Sequence, residues 1–245
     1  IIPVNKENCL KYGIVPPKFA DAIPDSIVIE IPQGKSAITK PELFILDLLS
    51  NYNWDRPINM LNQGGDLNIM YDGFSSRFTP IRNTISSLNP GLVDTDDLYA
   101  KMTGAFKFDA VSRKDYCVDY QNMYTFMGVM SLRNLFVSSA NVFMQDGRND
   151  WAEQMLDKCQ EVMDPKRYPY DNSILGWSSN VLYPIEMIKD YYALGKPEKA
   201  RPIVDELVSE VMETTGLFLD FYPEYKEEFE YNCQLLYYLA SELKK

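Results

Sequence analysis

The sequence predicts an α+β protein: a small mixed α/β portion over residues 1–115, followed by an all-α array of helical hairpins over residues 116–245. Two observations carry this. β-branched runs and helical patterns alternate in the first half, whereas from about Asp119 onward strand patterns vanish and long amphipathic segments follow one another. The helical segments are separated by Gly- and Pro-bearing breaks that recur at similar places.

In the first half, Ser26 to Ile31 (SIVIEI) is a β-branched run closed by Pro32 and reads as a strand. Thr39-Lys40-Pro41-Glu42 opens a helix, with Thr39 as N-cap and Pro41 in the first turn, and this helix fades at Asn51-Tyr52-Asn53. Arg56 to Leu61 is a short strand candidate, broken by Gly64-Gly65. Leu67 to Tyr71 is expected to form a brief helical turn. Phe74 to Ile81 alternates like a strand, with Pro80 suggesting an edge position. The acids of Asp94-Thr95-Asp96-Asp97 favour a helix start there. They do not form a calcium loop, because Leu98 stands where a ligand is needed and no closing Glu follows at the required spacing.

In the second half, helices are expected over about 120–145, 149–163, 173–194, 197–219 and 224–243, with breaks at Asp146-Gly147-Arg148, Asp164-Pro165 to Pro169, Gly195-Lys196-Pro197 and Pro223. Two of the breaks match. Ala140, Phe143, Gly147, Ala152, Leu156 and Cys159 are spaced 3, 4, 5, 4 and 3, and Ile188, Tyr191, Gly195, Ala200, Val204 and Leu207 repeat those intervals. The spacing resembles the tetratricopeptide repeat, so the array is expected to be TPR-like. The last helix is expected to cap the stack, with Tyr231, Leu235, Tyr238 and Leu239 inward and Glu227, Glu228 and Glu242 in water.

Composition excludes several functions. The net charge is −11 and no Lys/Arg cluster exists, so neither nucleic acid nor an anionic membrane surface is a suitable partner. The chain has no histidine, which removes Ser-His-Asp and Cys-His centres and the commonest nitrogen metal ligand. Cys9, Cys117, Cys159 and Cys233 are far apart, so neither a zinc site nor a disulfide framework is expected, and Cys159 and Cys233 read as small hydrophobes in helical stripes. No catalytic residue, metal or cofactor is assigned. The longest apolar stretch, at Leu43 to Leu49, contains Asp47 and is too short to span a bilayer. Ile1-Ile2-Pro3-Val4 does not read as a natural start, and the chain is expected to be a piece of a longer protein.

The candidate ligand or partner surface comprises Trp54, Arg56, Arg77, Tyr168 and Tyr170. In Trp54-Asp55-Arg56-Pro57, ring and guanidinium are suited to a sugar or a peptide carboxylate, and Arg77 on the following strand can join them. The competing and preferred reading is structural: Trp54 plugs the core, Asp55 caps amides and Arg56 pairs with an acid. Tyr168 and Tyr170 belong to a dense set of tyrosines suited to a carbohydrate or peptide groove, although most tyrosines at helical spacing pack. Adjacent acids such as Asp96/Asp97 and Glu227/Glu228 point apart on a helix and do not make a glycosidase pair.

Several motifs in order carry a family likeness: Asn8 to Val15, Ile38 to Leu43, Asn53 to Ile58, Asp72-Gly73-Phe74, Arg77 to Ile81 and Asp94-Thr95-Asp96. Together they resemble the tail of a family of multi-pass membrane proteins of unknown function, whose membrane bundle is similar to protein O-mannosyltransferases. The resemblance implies a periplasmic domain on the outer side of the inner membrane, its own upstream membrane-spanning region as partner, and a catalytic acid located in that region. No family catalytic residue maps onto this chain. Asn59-Met60 stands where relatives carry an aromatic, and Asn62-Gln63-Gly64-Gly65 departs as well. The function expected is a non-catalytic accessory domain of a glycosyltransferase-like protein that presents acceptor polypeptide or binds an envelope protein. The alternatives are a structural scaffold of the envelope or a stand-alone carbohydrate-active enzyme.

Overall fold

A computed structural model describes residues 1–29, 37–61, 65–85, 88–115, 117, 119, 128–171 and 181–243. The chain divides into two compact units, Ile1–Leu98 and Tyr99–Lys245. In the second unit, the segment after Leu98 packs its rings on the helices: Tyr99 stacks on Trp151 at 3.9 Å and Phe108 lies 4.9 Å from Phe136.

In the first unit, β1 (Ile2–Pro3) pairs antiparallel with β2 (Ser26–Ile27). Between them lie α1 (Lys6–Lys11), capped by the Asn5 side chain accepting from the Asn8 amide, and a 3₁₀ turn (Pro17–Ala22). The strand expected over Ser26 to Ile31 is paired at Ser26–Ile27, and Glu30 and Ile31 lie outside the described residues. Helix α2 (Lys40–Ser50) starts as expected: the Glu42 carboxylate reaches back to accept from both the amide and the hydroxyl of Thr39, each at 2.8 Å.

A second sheet holds β3 (Asn59–Met60), β4 (Gly65–Tyr71) and β5 (Ser76–Ile85), in the order β3-β5-β4, all antiparallel. Two expectations are corrected here. Leu67 to Tyr71 is a strand rather than a helical turn, because pairing with β5 buries Ile69 and Met70 and overrides local preference. Pro80 lies in the central strand rather than at an edge. It is tolerated because β3 reaches only Ser76 and Arg77, while the β4 register shifts between Leu67 and Ile69, so no ladder bond needs its missing N–H. Asn68 spans this bulge by donating to the Pro80 carbonyl. The core beneath gathers Cys9, Ile14, Ile23, Ile27, Tyr52, Trp54, Phe78 and Ile81.

The helix α3 (Thr95–Ala100) continues into a π-helical turn (Lys101–Ala105) and is followed by α4 (Asp109–Ser112). The second unit then builds α5 (Leu132–Gln145), α6 (Asn149–Val162), α7 (Leu182–Ala193), α8 (Pro197–Asp220) and α9 (Lys226–Tyr238), with a closing π-turn at Leu239–Leu243. Residues 120–127 and 173–180 of the expected helices lie outside the described residues.

The two matching breaks close alike. After α5, Gly147 (φ +74°) donates to the Met144 carbonyl and Arg148 to that of Phe143. After α7, Gly195 (φ +71°) donates to Tyr192 and Lys196 to Tyr191. This pair of bonds around a left-handed glycine satisfies the last carbonyls of each helix. Ala140, Phe143, Ala152, Leu156, Cys159, Ile188, Tyr191, Ala200, Val204 and Leu207 are all buried, so both hairpins present the same positions inward. In α9 Leu235 and Leu239 are buried as expected, but Asn232 takes the inward place expected for Tyr231. Asn232, Leu235, Leu239 and Leu243 are buried, whereas Tyr231 and Cys233 are exposed and Tyr238 is half-buried.

Candidate functional site

The Trp54 turn follows α2. Trp54 takes the left-handed region (φ +58°), which costs a non-glycine residue about 1–2 kcal/mol, and is fully buried. Compensation comes from packing. Its ring stacks on Phe78 at 5.4 Å and 11°, lies 4.8 Å from Tyr52, and its Nε1 donates to the Pro3 carbonyl at 2.9 Å. Trp54 therefore presents no ring face to a ligand. Tyr52 donates its hydroxyl to the Arg56 carbonyl, and burial pushes that phenol up to about 12. The Arg56 side chain is exposed and makes no ion pair among the described residues. It lines an open hollow of about 440 Å³ with Asp47, Asn51, Asn53 and Asp55. Arg77 is held elsewhere in the unit. Its guanidinium bonds to Asp72 at 2.9 Å and to the Gly13 carbonyl, and stands 3.7 Å from Asp97. The structure thus does not bring Arg77 to Arg56; it fastens the β4–β5 turn to the α1 end.

Tyr168 and Tyr170 are also interior. The buried Arg133 guanidinium donates to the carbonyls of Tyr168 and Pro169 and sits over the Tyr170 ring at 4.6 Å. Tyr168 donates to the Val111 carbonyl. The Tyr170 phenol is driven well above its ordinary range by burial, against the pull of the Arg133 cation. These rings anchor the loop after α6 rather than forming an exposed groove. Arg133 was missed in the sequence, although a lone cation within a stretch holding Met130, Leu132, Leu135, Phe136 and Val137 is the signal of a buried partner.

Below this anchor lies a second hollow of about 530 Å³, running along α8 and lined by Pro169, Asp171, Glu210, Glu213, Thr214, Gly216, Leu217 and Asp220. The Asp171 amide donates to Glu210 at 2.7 Å, and Thr214 donates to the Asp171 carboxylate at 2.8 Å. Burial raises Glu210 to about 7, opposed by the amides of Asp171 and Tyr170 and by Arg133. Glu206, Glu210, Glu213 and Asp220 fall on one face at spacings of 4, 3 and 7. That periodicity was available in the sequence and points to this wall.

Among the described residues no group of three or more acidic or cysteine side chains is placed to hold a metal ion, and no helix is long and apolar enough to cross a membrane. No curated protein and no solved structure matches the chain. Residues 1–97, almost the whole first compact unit, match the family described as TMEM260-associated domain 2, as expected of a domain from a membrane-protein family.

Proposed function

We propose that this chain is a non-catalytic extracytoplasmic accessory domain of a membrane-embedded, glycosyltransferase-like protein, and that it acts by binding polypeptide, either an acceptor chain or an envelope partner. The observation that carries this reading is the repeated hairpin: α5/α6 and α7/α8 share their glycine closure and their buried positions. In this reading the pair is TPR-like, and stacked hairpins of that kind form rigid, extended binding surfaces. Further support comes from the family match over residues 1–97 and from the lack of any histidine in the sequence. The domain then stands on the periplasmic side, beside membrane-spanning segments that perform the transfer.

The test is direct. The purified chain is incubated with a lipid-phosphate sugar donor and acceptor peptides, and separately probed on an array of unbiased peptides. No transfer, together with peptide retention, is expected. Sugar transfer or glycan cleavage by the purified chain would refute the accessory role. Retention of one folded envelope protein without any peptide preference would favour a scaffold instead.

A further inference from the structure

We infer that the outer face where α8 gives way to α9 docks a polypeptide segment rich in arginine and lysine. This rests on the polypeptide-binding reading above and names the partner's chemistry and the surface that meets it.

Charge supplies the first argument. From Asp205 to Glu230 there are nine acidic residues and one lysine, a net of −8 within a chain whose total is −11. The lysine, Lys226, is itself within 3.6 Å of Glu230. Shape supplies the second. The hollow along α8 carries the exposed acids Glu213 and Asp220 on its wall, with Leu217 exposed between them as an apolar contact. The rings supply the third. Just past Asp220 the chain turns and leaves Phe221, Tyr222 and Tyr225 about half exposed, with Tyr225 stacked at 5.5 Å on the buried Phe218 and 6.4 Å from Phe221.

Exposed aromatic faces set among carboxylates suit one class of side chain best. A guanidinium or ammonium group is attracted by the ring face and by the carboxylate together. An acidic or phosphorylated partner is repelled by the same groups. A purely apolar partner would strip water from the carboxylates without pairing them. Along α8, Glu213 and Asp220 are about 10 Å apart at a rise of about 1.5 Å per residue, a span that an extended chain covers in about three residues. Basic side chains two residues apart share one face of an extended segment at about 7 Å, and their flexible stems span the remaining distance to reach both acids.

The experiment uses the whole chain and a fluorescein-labelled peptide of alternating arginine and serine, read by fluorescence anisotropy, with the glutamate counterpart as control. The arginine peptide is expected to bind, more weakly as salt is raised, and the glutamate peptide not to bind. Paired reversal Glu213→Lys/Asp220→Lys is expected to weaken binding about tenfold or more. The same charge change at exposed positions of the first unit, Glu7→Lys/Asp21→Lys, is expected to change it less than about twofold. Tyr225→Ala is expected to weaken binding while leaving the salt dependence in place, and circular dichroism confirms that each variant folds. Equal loss in both reversal pairs would mean unspecific attraction and would overturn the assignment, as would failure of the arginine peptide to bind. If that peptide fails while other array peptides bind independently of Glu213 and Asp220, only this surface is wrong. If the whole array is silent, the polypeptide-binding reading falls with it.

Discussion

Asp190 lies on α7 with 4 % of its surface exposed, and its Oδ2 finds no hydrogen-bond partner among the described residues. Burial raises its carboxyl from 3.8 to about 7, with Glu186 adding to the rise and Lys189 opposing it. A group raised in the folded state contributes stability below its unfolded value, and that contribution is lost as pH climbs through the folded value. The window is therefore about pH 3.8 to 7, and holding the charge above it costs about 4 kcal/mol at 1.36 kcal/mol per unit. Asp190→Asn removes the charge and keeps the shape, but leaves an amide without partners, at a cost of about 1–3 kcal/mol. At pH 8 the variant is expected to be more stable by about 1–3 kcal/mol, and this advantage shrinks by about 2–3 kcal/mol at pH 5. Urea unfolding followed by circular dichroism at both pH values measures it, with the midpoint moving and the slope unchanged. An advantage independent of pH would show that the carboxyl is not raised by folding, and a larger destabilisation at pH 8 than at pH 5 would show that it is ionised and paired; either result would refute the reasoning.

Two further substitutions probe the packing. Arg133→Met keeps the bulk of the stem but strands the buried carbonyl of Tyr168 and the half-buried one of Pro169 and removes the cation from the Tyr170 ring, so a loss of about 2–4 kcal/mol is expected in urea unfolding. Arg133→Lys recovers only part of it, since one ammonium cannot reproduce the planar fork. Glycine replacements separate strain from collision. Gly147→Ala and Gly195→Ala place a methyl in open space at positive φ, so each costs about 1 kcal/mol and the two add. Gly91→Ala, at φ +67°, drives its Cβ to 2.3 Å from Asn83 Oδ1 and 2.4 Å from the Thr84 carbonyl, and its loss of thermal stability is expected to be at least twice theirs.

Much of the helical half was legible from residue order alone. The glycine breaks, the start of α6 at Asn149, the start of α8 at Pro197 and the Thr39–Glu42 closure of α2 depend on neighbours within one turn, so short-range chemistry settles them. The acidic wall of α8 also follows from a helical period. By contrast, the candidate surface was legible only in its residue types. Trp54, Tyr168 and Tyr170 have the composition of a binding site, yet Phe78 and Pro3 enclose the first and Arg133, 35 residues before Tyr168, pins the others.

Sequence by itself determined the charge, the absence of histidine, the order of the long helices α5 to α9 and the equivalence of the two hairpins. Tertiary structure alone decided that Leu67 to Tyr71 pairs as a strand, that Pro80 sits in a bulge of the middle strand, and that Asn232 rather than Tyr231 turns inward on α9. The physical reason is range. Caps and helix periods are set by contacts within a few residues, whereas strand register, helix phase and the burial of a ring depend on which distant segment arrives to cover it.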